Sequence, residues 1–153
     1  LDSHDEPKKA KKAKNSGIRI LITVMGTPCD EVVLNTGNEL ATGLEGSVRI
    51  MFPLIVPREL PLQAPLPEEE ETAREALDKA DKFLKIDGVE HEVMLERGRD
   101  IASAIAAAIE EEPATHVLVG LPGGDSAHDE TSKLVRSVLA KVNSAVLFVR
   151  GPI

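Results

Sequence analysis

The stretch Thr115–His128, THVLVGLPGGDSAH, decides the fold. Its first six residues form an apolar run of strand length, and the glycines and proline that follow break it before a polar segment with helical spacing begins. A strand that feeds a helix through a glycine-rich loop is the basic joint of an alternating α/β protein. It is also a place where many proteins cradle phosphates on helix N–H groups. Two questions follow: whether the rest of the chain repeats the joint, and whether this loop holds a phosphate or only turns.

Working outward, the joint recurs. IRILITV (18–24) is a β-branched run ending at the turn MGTP, and a helix is predicted over 29–44, with Val33, Gly37, Leu40, Ala41 and Leu44 at helical spacing. SVRIMFPLIV (47–56) reads as a second strand, in which Pro53 predicts a bulge or an early fray because it lacks an N–H. Four prolines in PRELPLQAPLP (57–67) predict an extended, semi-rigid excursion. The acidic run Glu68–Glu71 then suits a helix N-terminus, and Ala73, Leu77, Ala80 and Leu84 make one apolar stripe behind it. EHEVMLE (90–96) alternates with Val93 and Leu95 on one face, and Ile101, Ile105 and Ile109 mark the next helix. After the opening joint come a helix over 131–142 and the strand AVLFVR (145–150). The pattern βαβαβαβαβ implies right-handed crossovers and a parallel sheet with helices on both faces.

Composition agrees. With 2% aromatics and neither Trp nor Tyr, the core of this 153-residue chain must be built from Val, Ile, Leu and Ala, as in a parallel sheet covered on both sides. A formal net charge of -8 argues against a general nucleic-acid binder, whose surface must be basic. The single Cys29 admits no intramolecular disulfide and is compatible with a reducing cytosol. No apolar run approaches the roughly 20 residues of a membrane span. Residues 1–17, with lysines at 8, 9, 11, 12 and 14, read as a flexible basic linker, leaving 18–153 as the domain. Such a segment also suits the neighbourhood of an anionic membrane.

A receiver domain would need an acidic pair after its first strand and an aspartate after its third; here those ends read VMGT and LERG. Taken in order, ITVMGT, VMLERGRD, HVLVGLPG and SAVLFVR make residues 18–150 resemble the universal stress protein family. The resemblance implies a five-stranded parallel sheet in the order 3-2-1-4-5 with helices on both faces. It also implies a cytoplasmic, homodimeric regulatory protein whose last strand, through Val146 and Phe148, forms the dimer edge. Residues 55–77 resemble, more narrowly, the stress-protein domains attached to the cytosolic end of amino-acid permeases and related transporters, so an attached membrane domain is a further expectation. The rival is a free-standing stress protein that binds ATP or AMP and hydrolyses ATP weakly; a third is a dimerisation module with no ligand.

The resemblance places a candidate ligand crevice at Met25, Gly26, Thr27, Leu54, Gly120, Gly123, Gly124, Ser132 and Lys133. In the nucleotide-binding branch the loop reads Gly, two residues, Gly, nine residues, then Gly-Ser or Gly-Thr. Gly120 and Gly123 match the first two glycines, but the spacing is one short and Ser132 stands where the third belongs. Met25 occupies the position of the family's nucleoside-holding aspartate, and a thioether is a poor acceptor by comparison. Leu54 is left to offer an apolar wall to a base. The loop and the helix after it carry Asp125, Asp129 and Glu130, with Lys133 the one cation nearby. A carboxylate about 4 Å from a phosphate oxygen costs on the order of 4 kcal/mol at an effective dielectric near 20. A helix N-terminus returns only about 0.3–2 kcal/mol. The chemistry therefore favours a structural turn, capped by Thr131 or an acidic neighbour, over a phosphate cradle.

Catalytic signals are weak. His4, His91, His116 and His128 are scattered, no metal-ligand spacing occurs, and neither a Walker lysine nor GxGxxG is present. His116 is expected as a packed strand residue, His128 as a loop residue able to bind or cap, and Cys29 as a small packing residue.

Overall fold

The computed structural model describes residues 16–122 and 128–152. Strands β1 (Arg19–Thr23), β2 (Ser47–Ile55), β3 (His91–Gly98), β4 (His116–Leu121) and β5 (Ala145–Arg150) alternate with helices α1 (Cys29–Leu44), α2 (Pro67–Ile86), α3 (Ile101–Glu111) and α4 (His128–Lys141). All strands are parallel, in the order β3-β2-β1-β4-β5. The expected architecture is therefore the observed one. Residues 1–15 of the predicted linker lie outside the described residues.

The sheet divides two cores. Ile20, Ile22, Ile50 and Phe52 face α1 and α2, where Ala73, Ala76, Ala80 and Leu84 give α2 its buried side. Leu21, Met51, Val117 and Val119 face α3 and α4. Alternate strand residues thus feed opposite layers, as continuous apolar strands in a two-sided sheet must. Among the described residues no helix is long and apolar enough to cross a membrane.

Three local expectations are corrected. Pro53 produces no bulge: β2 pairs with β3 without interruption from Val48 to Ile55. The reason is parity. Ser47 donates to Ile18 and Met51 accepts from Val24, so odd positions of β2 turn towards β1. The absent N–H of Pro53 falls on that side, one bond past Val24 N–H to Met51 O, so it ends the β1–β2 ladder and leaves the β2–β3 ladder whole. The proline-rich segment is not extended either. It folds into two successive turns, closed by Leu60 N–H to Pro57 O at 3.1 Å and Ala64 N–H to Pro61 O at 3.0 Å. Two arginines from the end of β3 hold it there. Arg97 donates to the carbonyls of Leu62 (3.0 Å) and Ala64 (2.8 Å), and Arg99 to those of Val56, Pro57 and Leu60. Buried or folded carbonyls need donors, and guanidinium groups supplied from a distant strand could not be inferred from proline spacing. Finally, α4 begins at His128, so Thr131 lies inside its first turn rather than at its cap.

The acidic run does start α2, with Pro67 at its first position and Glu68, Glu69 and Glu70 in the first turn. Glu70 reaches back to accept from Leu66 N–H at 3.1 Å and pairs with Arg97 at 2.7 Å.

Candidate functional site

In this topology β1 and β4 are neighbours at the point where strand order reverses, and ligands of open α/β sheets bind beyond the carboxyl ends there. The turn after β1 and the exit of β4 therefore meet at the expected place. Among the described residues the expected side chains do not line one site.

Met25 is half-buried and packs against the α3/α4-side core, while Gly26 and Thr27 are exposed in the β1–α1 turn. Leu54, expected as a wall for a base, is 1% exposed and belongs to the core on the other side of the sheet. Its position on β2 turns it inward under α2, so it presents nothing to a ligand. Gly120 is required by packing: a Cβ there would sit 2.8 Å from Val33 Cγ2 and 3.3 Å from Cys29 Cβ, so α1 crosses β4 only because no side chain intervenes. Ser132 and Lys133 are exposed in the first turns of α4. Gly123 and Gly124, with Asp125, lie outside the described residues.

The residue missed in the sequence is Asp30, one position into α1. Its Oδ1 accepts from Met25 N–H at 2.9 Å and its Oδ2 from Gly26 N–H at 2.8 Å. Both carboxylate oxygens are thus committed to the backbone donors that an anion at this turn would need. Burial pushes the Asp30 carboxyl up from its ordinary value, while these N–H groups pull it down. The sequence signal was present: an acidic residue two positions after Pro28 in a helix first turn, close enough to fold back on the turn before it.

A groove of about 700 Å³ opens beside the turn, between α1 and α2. Gly26, Thr27 and Asp30 form one end, and Leu34, Ala76 and Phe83 line its length. None of Gly120, Ser132 and Lys133 borders it. The volume is in the range of small-molecule pockets.

Cys29 and His116 each have a local partner. Cys29 is buried and its thiol donates to Leu121 O at 3.3 Å. His116 is half-buried at the start of β4 and contacts Thr115 Oγ1, a strand-end position rather than a core one. The side chains of His4 and His128 lie outside the described residues. Among the described residues no group of His, Cys, Asp and Glu could hold a metal.

No family model matches the sequence, and no curated protein matches it. Solved structures do. A universal stress protein from Archaeoglobus fulgidus is 21% identical with a TM-score of 0.68, over 86% of this chain and 93% of that one. A protein of the universal stress protein family from Burkholderia pseudomallei is 18% identical with a TM-score of 0.65, over 88% and 96%. An Archaeoglobus fulgidus universal stress protein in complex with dAMP is 20% identical with a TM-score of 0.67, over 86% and 97%. At these identities the likeness is one of fold: the chain adopts, over nearly its whole length, the fold of the universal stress proteins.

Proposed function

We propose that this domain is a non-catalytic regulatory module of the universal-stress-protein type, dimeric and cytoplasmic, whose nucleotide crevice is degenerate. The observation that carries the reading is the β1–α1 turn. Asp30 takes the N–H groups of Met25 and Gly26, while Met25 stands where the family resemblance puts an acidic nucleoside contact. A phosphate arriving there would meet a carboxylate already holding the donors, and repulsion of about 4 kcal/mol at 4 Å outweighs what the turn can return. The neighbouring α1–α2 groove supports a ligand-sensing role for some other small molecule. The resemblance of residues 55–77 to transporter-attached domains supports placement at the cytosolic face of a membrane protein; a coding sequence without spans upstream of Leu1 would remove that part.

A specific observation favours the rival, a nucleotide-binding stress protein: proteins of this fold have been solved with dAMP, with cAMP and with AMP bound. Isothermal titration of the full chain with ATP, AMP and a cyclic dinucleotide, with and without Mg²⁺, separates the two. No saturable heat below millimolar nucleotide is expected. Micromolar ATP binding would overturn the degenerate-site reading, and release of phosphate from that ATP would make the protein an enzyme.

A further inference from the structure

Four of the eight large hydrophobics left exposed among the described residues gather on β3 and the loop folded against its end: Leu60, Leu62, Val93 and Leu95. β3 is an outer strand, paired only with β2. Val93 and Leu95 are 41% and 38% exposed on the α2 side. Arg97, next in the same row, holds the carbonyl of Leu62, which carries the apolar row onward into the loop.

The backbone of this strand is open as well. Val56 N–H donates to Gly98 O at 2.9 Å, so the even positions of β3 turn towards β2. The polar backbone groups of Val93, Leu95 and Arg97 therefore point away from the sheet, and none has a hydrogen-bond partner among the described residues. The opposite face of the strand carries Glu92 and Glu96. Glu111 of α3 lies close enough to Glu96 to raise its carboxyl further, after burial, while Arg49 on β2, which donates to the Glu112 carbonyl at 2.5 Å, offsets this only in part.

We infer that the open edge of β3 is a β-addition site for an extended segment of another protein, one in which apolar residues alternate with Lys or Arg. The backbone row supplies the ladder, Val93 and Leu95 receive the apolar side chains, and Glu92 and Glu96 receive the basic ones. Charge disfavours a second copy of this chain in two of the antiparallel registers open to it. An antiparallel self-pair centred on Met94 sets Glu92 opposite Glu96, and one centred on Val93 sets Glu90 opposite Glu96. Like charges directly opposite are destabilising.

The test uses the full chain and three labelled peptides: Val-Lys repeated four times, Val-Glu repeated four times, and the same valines and lysines in two blocks. Fluorescence anisotropy is expected to show the Val-Lys repeat binding at least tenfold more tightly than either control, with slowed hydrogen exchange at the Val93 and Leu95 amides. Leu95→Pro removes an outward N–H that no ladder bond uses, so the fold survives and binding falls at least tenfold. Should that variant lose its native circular dichroism, Glu92→Lys with Glu96→Lys keeps the backbone and reverses the preference towards Val-Glu. Equal binding of the block peptide, protection on β5 instead of β3, or an unchanged preference in the double lysine variant would each overturn the inference.

Discussion

At the scale of single residues, Asp30 organises the β1–α1 turn. It ties two backbone N–H groups of the preceding turn while sitting in the positive first turn of α1. Asp30→Ala leaves both donors without their partner, and we expect a loss of about 1–2 kcal/mol in urea unfolding. No loss would mean that water replaces the carboxylate at no cost. Asp81 gives a pH-dependent counterpart. The hydrogen bond from His91 Nε2 at 2.7 Å, helped by Lys85, holds its carboxyl below the usual carboxylate range. A depressed carboxyl contributes stability above its unfolded pKa, near 4, and loses it as the pH falls through the folded value. The stability difference between wild type and Asp81→Asn should therefore be present at pH 7 and shrink below about pH 4. A difference that is constant from pH 3 to pH 7 contradicts it. His91 was legible as a strand residue, but its bond to Asp81 joins positions that only the α2–β3 connection brings together.

Among elements, α1 lies tightly against the sheet because Gly37 sits where it crosses β1. A methyl added at Gly37 would land on Ile22 Cδ1, so Gly37→Ala must lift the helix or shift Ile22. We expect a cost of about 1–3 kcal/mol, the usual range for overpacking. Ile22→Val removes that Cδ1, so the same glycine replacement should cost less in its background. Strict additivity in a double-mutant cycle would show that the contact is not the cause. Periodicity located α1 and α2 well because their buried faces repeat in the sequence. It failed in the proline-rich segment, where the folding agents, Arg97 and Arg99, lie 33 and 39 residues away from the carbonyls they hold.

For the whole molecule, the two outer strands carry different proposals. β5 donates from Ala145 and Gly151 towards β4, so Val146 and Phe148 turn their backbone groups outward while their side chains pack on the α3/α4-side core. The dimer proposed for this edge is thus tested through the backbone rather than the side chains. Val146→Pro should give monomers in light scattering with an intact fold, and a persisting dimer would place the interface elsewhere. What the sequence by itself determined is the element order and the layered core, because apolar periodicity and helix-start chemistry are local and repeat along the chain. It also showed that the nucleotide motif is altered, since spacing and residue type are written in one dimension. Only the tertiary structure decided that Leu54 faces the core, that Gly120 is needed by α1, that Asp30 occupies the turn, and that β3 keeps an open edge. Each of these depends on which face a side chain or an N–H group turns to, and that is set by strand parity and by neighbours far away in the chain.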